Sequence, residues 1–405
     1  MKVRCAIAGG GPAGMMLGFL LARAGVGVLV LEKHADFFRD FRGDTIHPST
    51  LELMHELGLL EDFLRRPHDE ARELKGQIGD ATLTIADFSH LPTRCKFIAL
   101  MPQWDFLDFL VSHAQRYPTF RLRMQTEVTD LIDDGARIAG LIARTPNGVL
   151  EVDADLIIGA DGRHSTVREK SGLAVIDLGA PMDVLWIRLS KHSSDPRQSL
   201  GRFDAGRIMI LIDRGDYWQC AFVIAKGTIE HLRQQGLPAF REEVARLVPY
   251  LRDRVGELHT WDDIKLLTVA VNRLPQWYRP GLLCIGDAAH AMSPIGGVGI
   301  NLAVQDAVAA ANILAEPLRQ GALGVDLLAK VQRRRELPTR VTQRLQLLIQ
   351  NRVISRVLAS RQRLALPLAA RLLRHCPVFR RIPARLIGMG VRPEHVRTPE
   401  LVSGP

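Results

Sequence analysis

Apolar and polar positions divide the start of the chain into three elements. Val3 to Ala8 is a short, mostly apolar run that breaks into Gly9-Gly10-Gly11. Ala13 to Ala24 carries apolar residues among helix-forming neighbours, and Val26 to Leu31 is a second apolar run, rich in valine and leucine and closed by Glu32. Short apolar runs bounded by turn residues have the length of buried strands, and the longer middle segment has that of a helix. The predicted order is strand, glycine turn, helix, strand.

Thr50 to Leu64 reads as helix interrupted at Gly58, and Asp105 to Gln115 as another. Residues 77–100 and 183–225 change to short apolar runs with alternating polar positions, as in Arg207 to Ile212 and Trp218 to Ile224, and look like strands of a second sheet. Asp155 to Ala160 and Leu282 to Ile285 are further buried-strand candidates, and Asn301 to Leu314 is an alanine-rich helix. Strand signals of one nucleotide-type domain thus recur in three blocks, 1–75, 100–180 and 275–315, around an inserted sheet domain at 76–99 and 181–274. Residues 316–405 are helical in composition. Val341, Leu345, Leu348 and Ile349 fall at helical spacing with arginines between them, and Pro338, Pro367, Pro377 and Pro383 are expected to divide the region into several helices.

With 405 residues, 47% hydrophobic and 24% charged, the chain has the composition of a globular protein and the length for two or three structural units. A small stapled module and a disordered chain are excluded. The net charge of +9 is uneven: residues 316–405 hold 18 Lys+Arg and 5 Asp+Glu, a surplus of 13, which leaves −4 for residues 1–315. The five cysteines are scattered, with no Cys-x-x-Cys pair and no metal-ligand spacing, so no metal site is expected and the cytoplasm is the expected compartment. The uncharged run Cys5 to Ala22 is cut by Gly9 to Pro12, which suits a turn and neither a membrane-spanning helix nor a signal-peptide core.

Gly9-Gly10-Gly11-Pro12-Ala13-Gly14 satisfies G-x-G-x-x-G directly after a strand and at the start of a helix, with Glu32 at the end of the next strand. Gly9 permits a tight turn, Gly11 lets backbone approach a pyrophosphate, and Gly14 lets helix and strand pack closely. The helix N-terminus then offers N–H groups to phosphate, while Glu32 can accept ribose hydroxyls. The fingerprint leaves NAD and FAD open, and the carboxylate at Glu32 disfavours NADP in this pocket.

Two later motifs narrow the choice. Asp155 to Arg168 is a strand leading into Asp161-Gly162, followed by Ser165 and Arg168 at helix-start spacing. Gly281 to Asn301 is a strand, then Gly286-Asp287, then the loop Pro294 to Gly299 opening the alanine-rich helix. The second places a carboxylate for a polyol hydroxyl and, beyond it, helix N–H groups suited to the anionic pyrimidine edge of a reduced flavin.

The three motifs, in this order and spacing over about residues 1–315, resemble the class A, single-component flavoprotein aromatic monooxygenases, the family typified by para-hydroxybenzoate hydroxylase. The resemblance implies an α/β fold: a Rossmann-type, glutathione-reductase-like FAD-binding domain with an inserted mixed β-sheet substrate domain and a C-terminal helical region. It assigns Gly9, Gly11, Pro12, Ala13, Gly14, Glu32 and Lys33 to the ADP half of FAD, and Arg42 with Gly43 to phosphate contact. Gln103 and Val128 become further FAD contacts. Asp161 and Gly162 would serve FAD and NAD(P)H, Gly286 and Asp287 the ribityl side, and Gly297, Val298, Gly299, Ile300 and Asn301 the isoalloxazine. Val298-Gly299 stands where many members have Gln-Gly, which removes a side-chain contact and keeps the backbone ones.

The implied reaction takes hydride from NADPH or NADH to FAD, captures O₂ as a flavin C4a-hydroperoxide and transfers one oxygen atom to an electron-rich ring. Pro294 would line the site with the glycine loop. His47 would steer NAD(P)H or move a phenol proton, or else cap or pack the following helix; His290 would orient the flavin or support the fold, and Asp44 would serve a turn. The substrate pocket is expected on the inserted sheet, with Trp186, Arg188, Phe203, Ile210, Leu211, Trp218 and Phe222 as candidates. Their apolar setting favours a hydrophobic aromatic substrate, with Arg188 or Arg202 as the anchor if it is an acid. The rival readings are a reductase or halogenase of the same fold, or a non-catalytic flavoprotein that binds a hydrophobic ligand. The five tryptophans never occur two apart, so the W-x-W-x-I-P segment of tryptophan halogenases is missing. The basic tail has one aromatic residue, Phe379, which argues against nucleic acid. Peripheral contact with an anionic membrane, a homodimer contact, or a solvated cap over the pocket stay open for it.

Overall fold

The computed structural model describes residues 1–38, 45–79, 81–196, 199–362, 364 and 368–401. Its first sheet has eight strands, in the order Tyr278–Arg279, Leu282–Cys284, Gly148–Gly159, Lys2–Ala8, Val28–Leu31 and Phe120–Arg123. Ile138–Thr145 and Glu127–Asp133 continue antiparallel from Gly148–Gly159. Lys2–Ala8 is parallel to both its neighbours, as are Val28–Leu31 to Phe120–Arg123 and Gly148–Gly159 to Leu282–Cys284. Parallel strands need cover on both faces, which explains why Val28–Leu31 is buried at every position. Helix Pro12–Arg23 packs between Gly299–Gln320 and Gln103–Ala114, and Ile7, Leu17, Val30, Ile157 and Val304 belong to one core. The helix expected at Thr50 to Leu64 is two, Pro48–Glu56 and Leu60–Leu64, separated at Gly58, whose φ of +72° suits glycine alone.

The second sheet has seven strands: Lys265–Leu267, Met182–Ser190, Tyr217–Ala225, Arg207–Asp213, Leu200–Asp204, Glu73–Ile78 and Ala81–Asp87. Only Leu200–Asp204 with Glu73–Ile78 is parallel, so the sheet is mixed. Its two faces are distinct. Leu185, Ile187, Met209, Leu211, Trp218 and Phe222 meet Phe240 and Val244 of helix Leu237–Leu247, while Val184, Ile208 and Val223 meet Ile354 and Val357 of the C-terminal region. The α/β class expected from the sequence, with an inserted mixed sheet and C-terminal helices, is the class found.

The tail departs from expectation in two ways. Pro338 does not end a helix: Val325–Ile349 runs through it. Proline removes one helix hydrogen bond, but Leu328, Val331 and Arg335 before it and Thr339, Gln343 and Gln346 after it are all buried, so packing on both sides holds the helix. The second departure concerns its amphipathic face. Leu345, Leu348 and Ile349 point to solvent, whereas Gln343, Gln346 and Gln350 are buried. The reason is what they touch: Gln343 and Gln346 meet backbone carbonyl and N–H groups and Gln350 meets the Ser293 hydroxyl, and only polar side chains can satisfy those.

Candidate active site

At the first glycine turn, Gly9 has φ +102°, and a Cβ there would lie 2.4 Å from the Ala160 carbonyl oxygen. A Cβ on Gly14 would lie 2.0 Å from the Gly9 carbonyl oxygen, whereas one on Gly11 would meet open space. Helix Pro12–Arg23 starts with Gly11 as its N-cap, Pro12 in its first turn and buried Ala13 next, with no side chain capping it. Its first amides are thus left without a side-chain acceptor. Glu32 is buried; its Oε2 accepts from Gly10 N–H at 2.9 Å and its Oε1 from His34 N–H at 3.1 Å. Lys33, beside it, is exposed. Arg42, Gly43 and Asp44 lie outside the described residues.

The second motif is held from within. Asp161 accepts from Ser165 Oγ and, at 3.0 Å, from Val167 N–H; Ser165 caps the next helix by accepting from Arg168 N–H at 3.0 Å. Burial raises the pKa of the Asp161 carboxyl, against those hydrogen bonds. Gly162 follows at φ +85°. Arg168 donates to the Ala288 carbonyl at 3.1 Å and to that of Arg163 at 2.7 Å, and Arg163 lies 3.7 Å from the Asp287 carboxylate. The Asp161 and Asp287 turns are therefore brought together, and the Asp287 side chain keeps part of its surface open.

Behind Asp287 lies a buried ionic network that sequence reasoning missed. Asp306 Oδ2 accepts from Gly286 N–H at 3.1 Å and lies 2.6 Å from His290 Nε2; its Oδ1 accepts from Arg335 Nε at 3.0 Å. Arg335 also reaches Glu394 at 3.4 Å, and Glu394 takes Arg334 at 2.6 Å. Burial alone would raise the Asp306 pKa, but His290 and Arg335 outweigh it and hold the carboxyl below its usual value. A signal existed, since Asp306 is the one acid in the apolar run from Ile300 to Leu314.

The glycine loop meets the start of helix Pro48–Glu56. Gly296 and Gly297 have φ +78° and +63°, and Thr45 Oγ1 donates to the Gly297 carbonyl at 2.8 Å. Pro294 caps this turn, and helix Gly299–Gln320 opens from Val298 with no side-chain cap and open space at Gly299. Ile300 is buried. Asn301 Oδ1 accepts from His47 N–H at 2.9 Å and from Thr50 Oγ1 at 2.7 Å, and its Nδ2 donates to the Thr45 carbonyl at 3.1 Å. Asn301 is thus a clamp between two helix N-termini.

His47 is fully buried. Its Nδ1 lies 2.7 Å from the Ile387 carbonyl oxygen, which can only accept, so the proton sits on Nδ1. Nε2 then carries a buried lone pair with no hydrogen-bond partner among the described residues. Burial lowers the ring pKa to about 4, so the ring is neutral near pH 7. Helix Val325–Ile349 and Gln350 just after it brace the backbone around Pro294: Gln346 Nε2 donates to the Ser293 and Ile295 carbonyls at 2.9 Å each, and Gln350 Nε2 to Ser293 Oγ at 2.7 Å.

Gln103 opens helix Gln103–Ala114 and is partly buried, and the Val128 side chain lies in the first core. On the second sheet, Trp186, Phe203 and Ile210 share a partly exposed face with Ile295, next to Pro294. Arg188 is exposed, with its guanidinium 3.8 Å from the Tyr217 ring centroid. Trp218, with Leu211 and Phe222, is a correction: strand alternation turns these to the opposite face, and Trp218 Nε1 donates to the buried Asp195 at 2.9 Å. They are core, not pocket.

A family model described as an FAD binding domain matches residues 2–345. Over 387 residues the chain is 33% identical to the 6-methylpretetramide 4-monooxygenase of Streptomyces rimosus, covering 94% of this chain and 91% of that protein. It is 28% identical to the dialkyldecalin synthase of Streptomyces rugosporus over 75% of this chain, and spans 63% of that longer protein. The solved structure of the anhydrotetracycline hydroxylase OxyS from Streptomyces rimosus superimposes with a TM-score of 0.76 at 25% identity, over 97% of this chain and 77% of that one.

Proposed function

The chain belongs to the class A FAD-dependent aromatic monooxygenases, and from that premise we propose that its substrate is an extended, mostly apolar phenol of the pretetramide or tetracycline kind. The enzyme is an NAD(P)H-consuming flavoprotein hydroxylase. The observation that carries the substrate reading is the partly exposed apolar face of Trp186, Phe203 and Ile210 beside Ile295, which lies in the loop expected at the flavin. The name of the Streptomyces rimosus relative points the same way.

The residues present fit the cofactor. Two helices open with uncapped N-termini over space that a Cβ at Gly11 or Gly299 would begin to fill. When bound, FAD supplies hydride acceptance from NADH or NADPH and the activation of O₂ for transfer of one oxygen atom. The amides after Gly11 bind pyrophosphate, Glu32 accepts ribose hydroxyls, and Asp287 takes the ribityl side. Asp161 acts by fixing its turn through Ser165 and Val167. The amides of Gly299 and Ile300 would hold the flavin pyrimidine, and Asn301 ties their helix start to the His47 segment. His47 offers a neutral acceptor at Nε2, since Ile387 keeps the proton at Nδ1. Pro294 and the glycine loop, braced by Gln346 and Gln350, keep water from the reacting face. We place the domain boundaries where the second sheet leaves and rejoins the first, and the enzyme in a reducing compartment, on its free cysteines.

The test is a panel of aromatic compounds scored for stimulated NADH and NADPH oxidation and for product mass. Polycyclic phenols should accelerate oxidation and gain 16 Da, the mass of one oxygen atom. Stimulation by small benzoates alone would overturn the substrate reading.

A further inference from the structure

Seventeen large hydrophobic side chains are exposed among the described residues, and ten of them fall between Leu337 and Leu386. That same stretch contains eleven arginines and no aspartate or glutamate. Five of the ten lie on helices Leu368–His375 and Arg381–Gly388 and the turn between them. There Leu372 is 46% exposed, Val378 58%, Phe379 37%, Ile382 58% and Leu386 38%. Arg371, Arg374, Arg381 and Arg385 are exposed among them.

The opposite side of these helices belongs to the fold. Ala384 and Gly388 are buried, Ala384 packs with Phe88 and Leu91, and Ile387 supplies the carbonyl that holds His47. Both helices lie on edge strand Ala81–Asp87 of the second sheet. The exposed side chains are therefore held outward by a docked backbone.

We propose that this face docks the enzyme on an anionic lipid bilayer, with Leu372, Val378, Phe379, Ile382 and Leu386 entering the headgroup boundary and the arginines between them pairing with lipid phosphates. The chemistry is that of an interfacial helix: apolar burial supplies adhesion, and the cations select an anionic surface. Charge decides against a second copy of this chain as the occupant, since a two-fold contact would bring two acid-free, arginine-rich faces together. Docking is peripheral. Ile295–Gln320 is long and apolar enough to cross a membrane, but 72% of its apolar window is buried within the protein.

Cys376 lies within the face and is exposed, while the other four cysteines are buried, so one environment-sensitive dye can report on this position. The holoenzyme is mixed with vesicles of phosphatidylcholine alone or with phosphatidylglycerol added, and scored by flotation and by the emission of the Cys376 dye. The expected result is flotation and a blue shift with phosphatidylglycerol only, weakened by salt. Replacing Arg371, Arg374 and Arg385 together by glutamine should reduce binding about 100-fold, as should V378S with I382S, with flavin content and basal NAD(P)H oxidation unchanged. No flotation with phosphatidylglycerol overturns the proposal, as does binding that neither variant set weakens. A concentration-dependent dimer that V378S with I382S dissociates, without vesicle binding, assigns the face to self-association instead.

Discussion

Asp306→Asn tests whether the buried network behind Gly286 and Asp287 holds the cofactor side of the site in place. The wild-type carboxylate is fully buried and serves three groups: Gly286 N–H at 3.1 Å, His290 Nε2 at 2.6 Å and Arg335 Nε at 3.0 Å. An asparagine offers one acceptor oxygen and turns an N–H₂ group toward donors. It also leaves Arg335 with Glu394, at 3.4 Å, as its charged partner and the Arg392 carbonyl, at 3.3 Å, as an acceptor. Breaking a buried ion pair from one side costs about 3–5 kcal/mol, and the surviving Glu394 contact places this variant near the lower end, about 3 kcal/mol. Urea unfolding of the holoenzyme measures it as a lower midpoint at constant slope. Asp306→Asn combined with Arg335→Leu should cost less than the sum of the two single changes by at least about 1 kcal/mol, because the second removes the charge that the first leaves uncompensated. FAD should dissociate faster from Asp306→Asn, since the Gly286 turn loses its anchor. A loss below about 1 kcal/mol, or simple additivity in the double variant, would refute the reasoning.

Four further expectations follow from named contacts. Gly14→Ala puts a Cβ 2.0 Å from the Gly9 carbonyl oxygen; backbone cannot yield there, so the purified protein should lack flavin absorbance. His47 titrates near 6.5 when unfolded and at about 4 when buried. Its neutral form is favoured in the fold, so the associated stability is present above 6.5 and declines as pH falls toward 4. Between pH 7.5 and 5 the loss is about 2 kcal/mol, and His47→Gln should remove that increment when urea midpoints are compared at the two pH values. Trp186→Ala should raise KM for the aromatic substrate several-fold with flavin content intact. Trp218→Phe, on the far face, should lower stability by about 1.5–3 kcal/mol through loss of its hydrogen bond to Asp195, which keeps Arg254 and the His192 N–H, and leave KM alone; the reverse pattern would place the pocket on the wrong face of the sheet.

What the sequence made legible is what local chemistry dictates. The first glycine turn could be read because each glycine answers a backbone demand, and Gly9 and Gly14 do stand where a Cβ would strike backbone. The inserted sheet was legible from alternation, but alternation does not say which face meets the loop, so Trp218 was grouped with Trp186 although the strands turn them apart. The tail misled for a related reason. Leu345, Leu348 and Ile349 look like a core stripe, yet the surface that this helix meets is backbone of the loop before Pro294, and glutamines face it. The ion pairs of Asp306 with Arg335 and of Arg335 with Glu394 join residues 29 and 59 positions apart. No local pattern encodes such partners, and the lone acid in an alanine-rich helix was the one trace.

The central claim is that this chain inserts oxygen from O₂ into an aromatic ring at the expense of NAD(P)H. Turnover under ¹⁸O₂ with a phenol that stimulates NAD(P)H oxidation tests it most directly. The account predicts one ¹⁸O atom per molecule of hydroxylated product, with the yellow holoenzyme unchanged after the cycle. A reduced or rearranged product that forms without label would contradict it and make the protein a reductase built on the same fold.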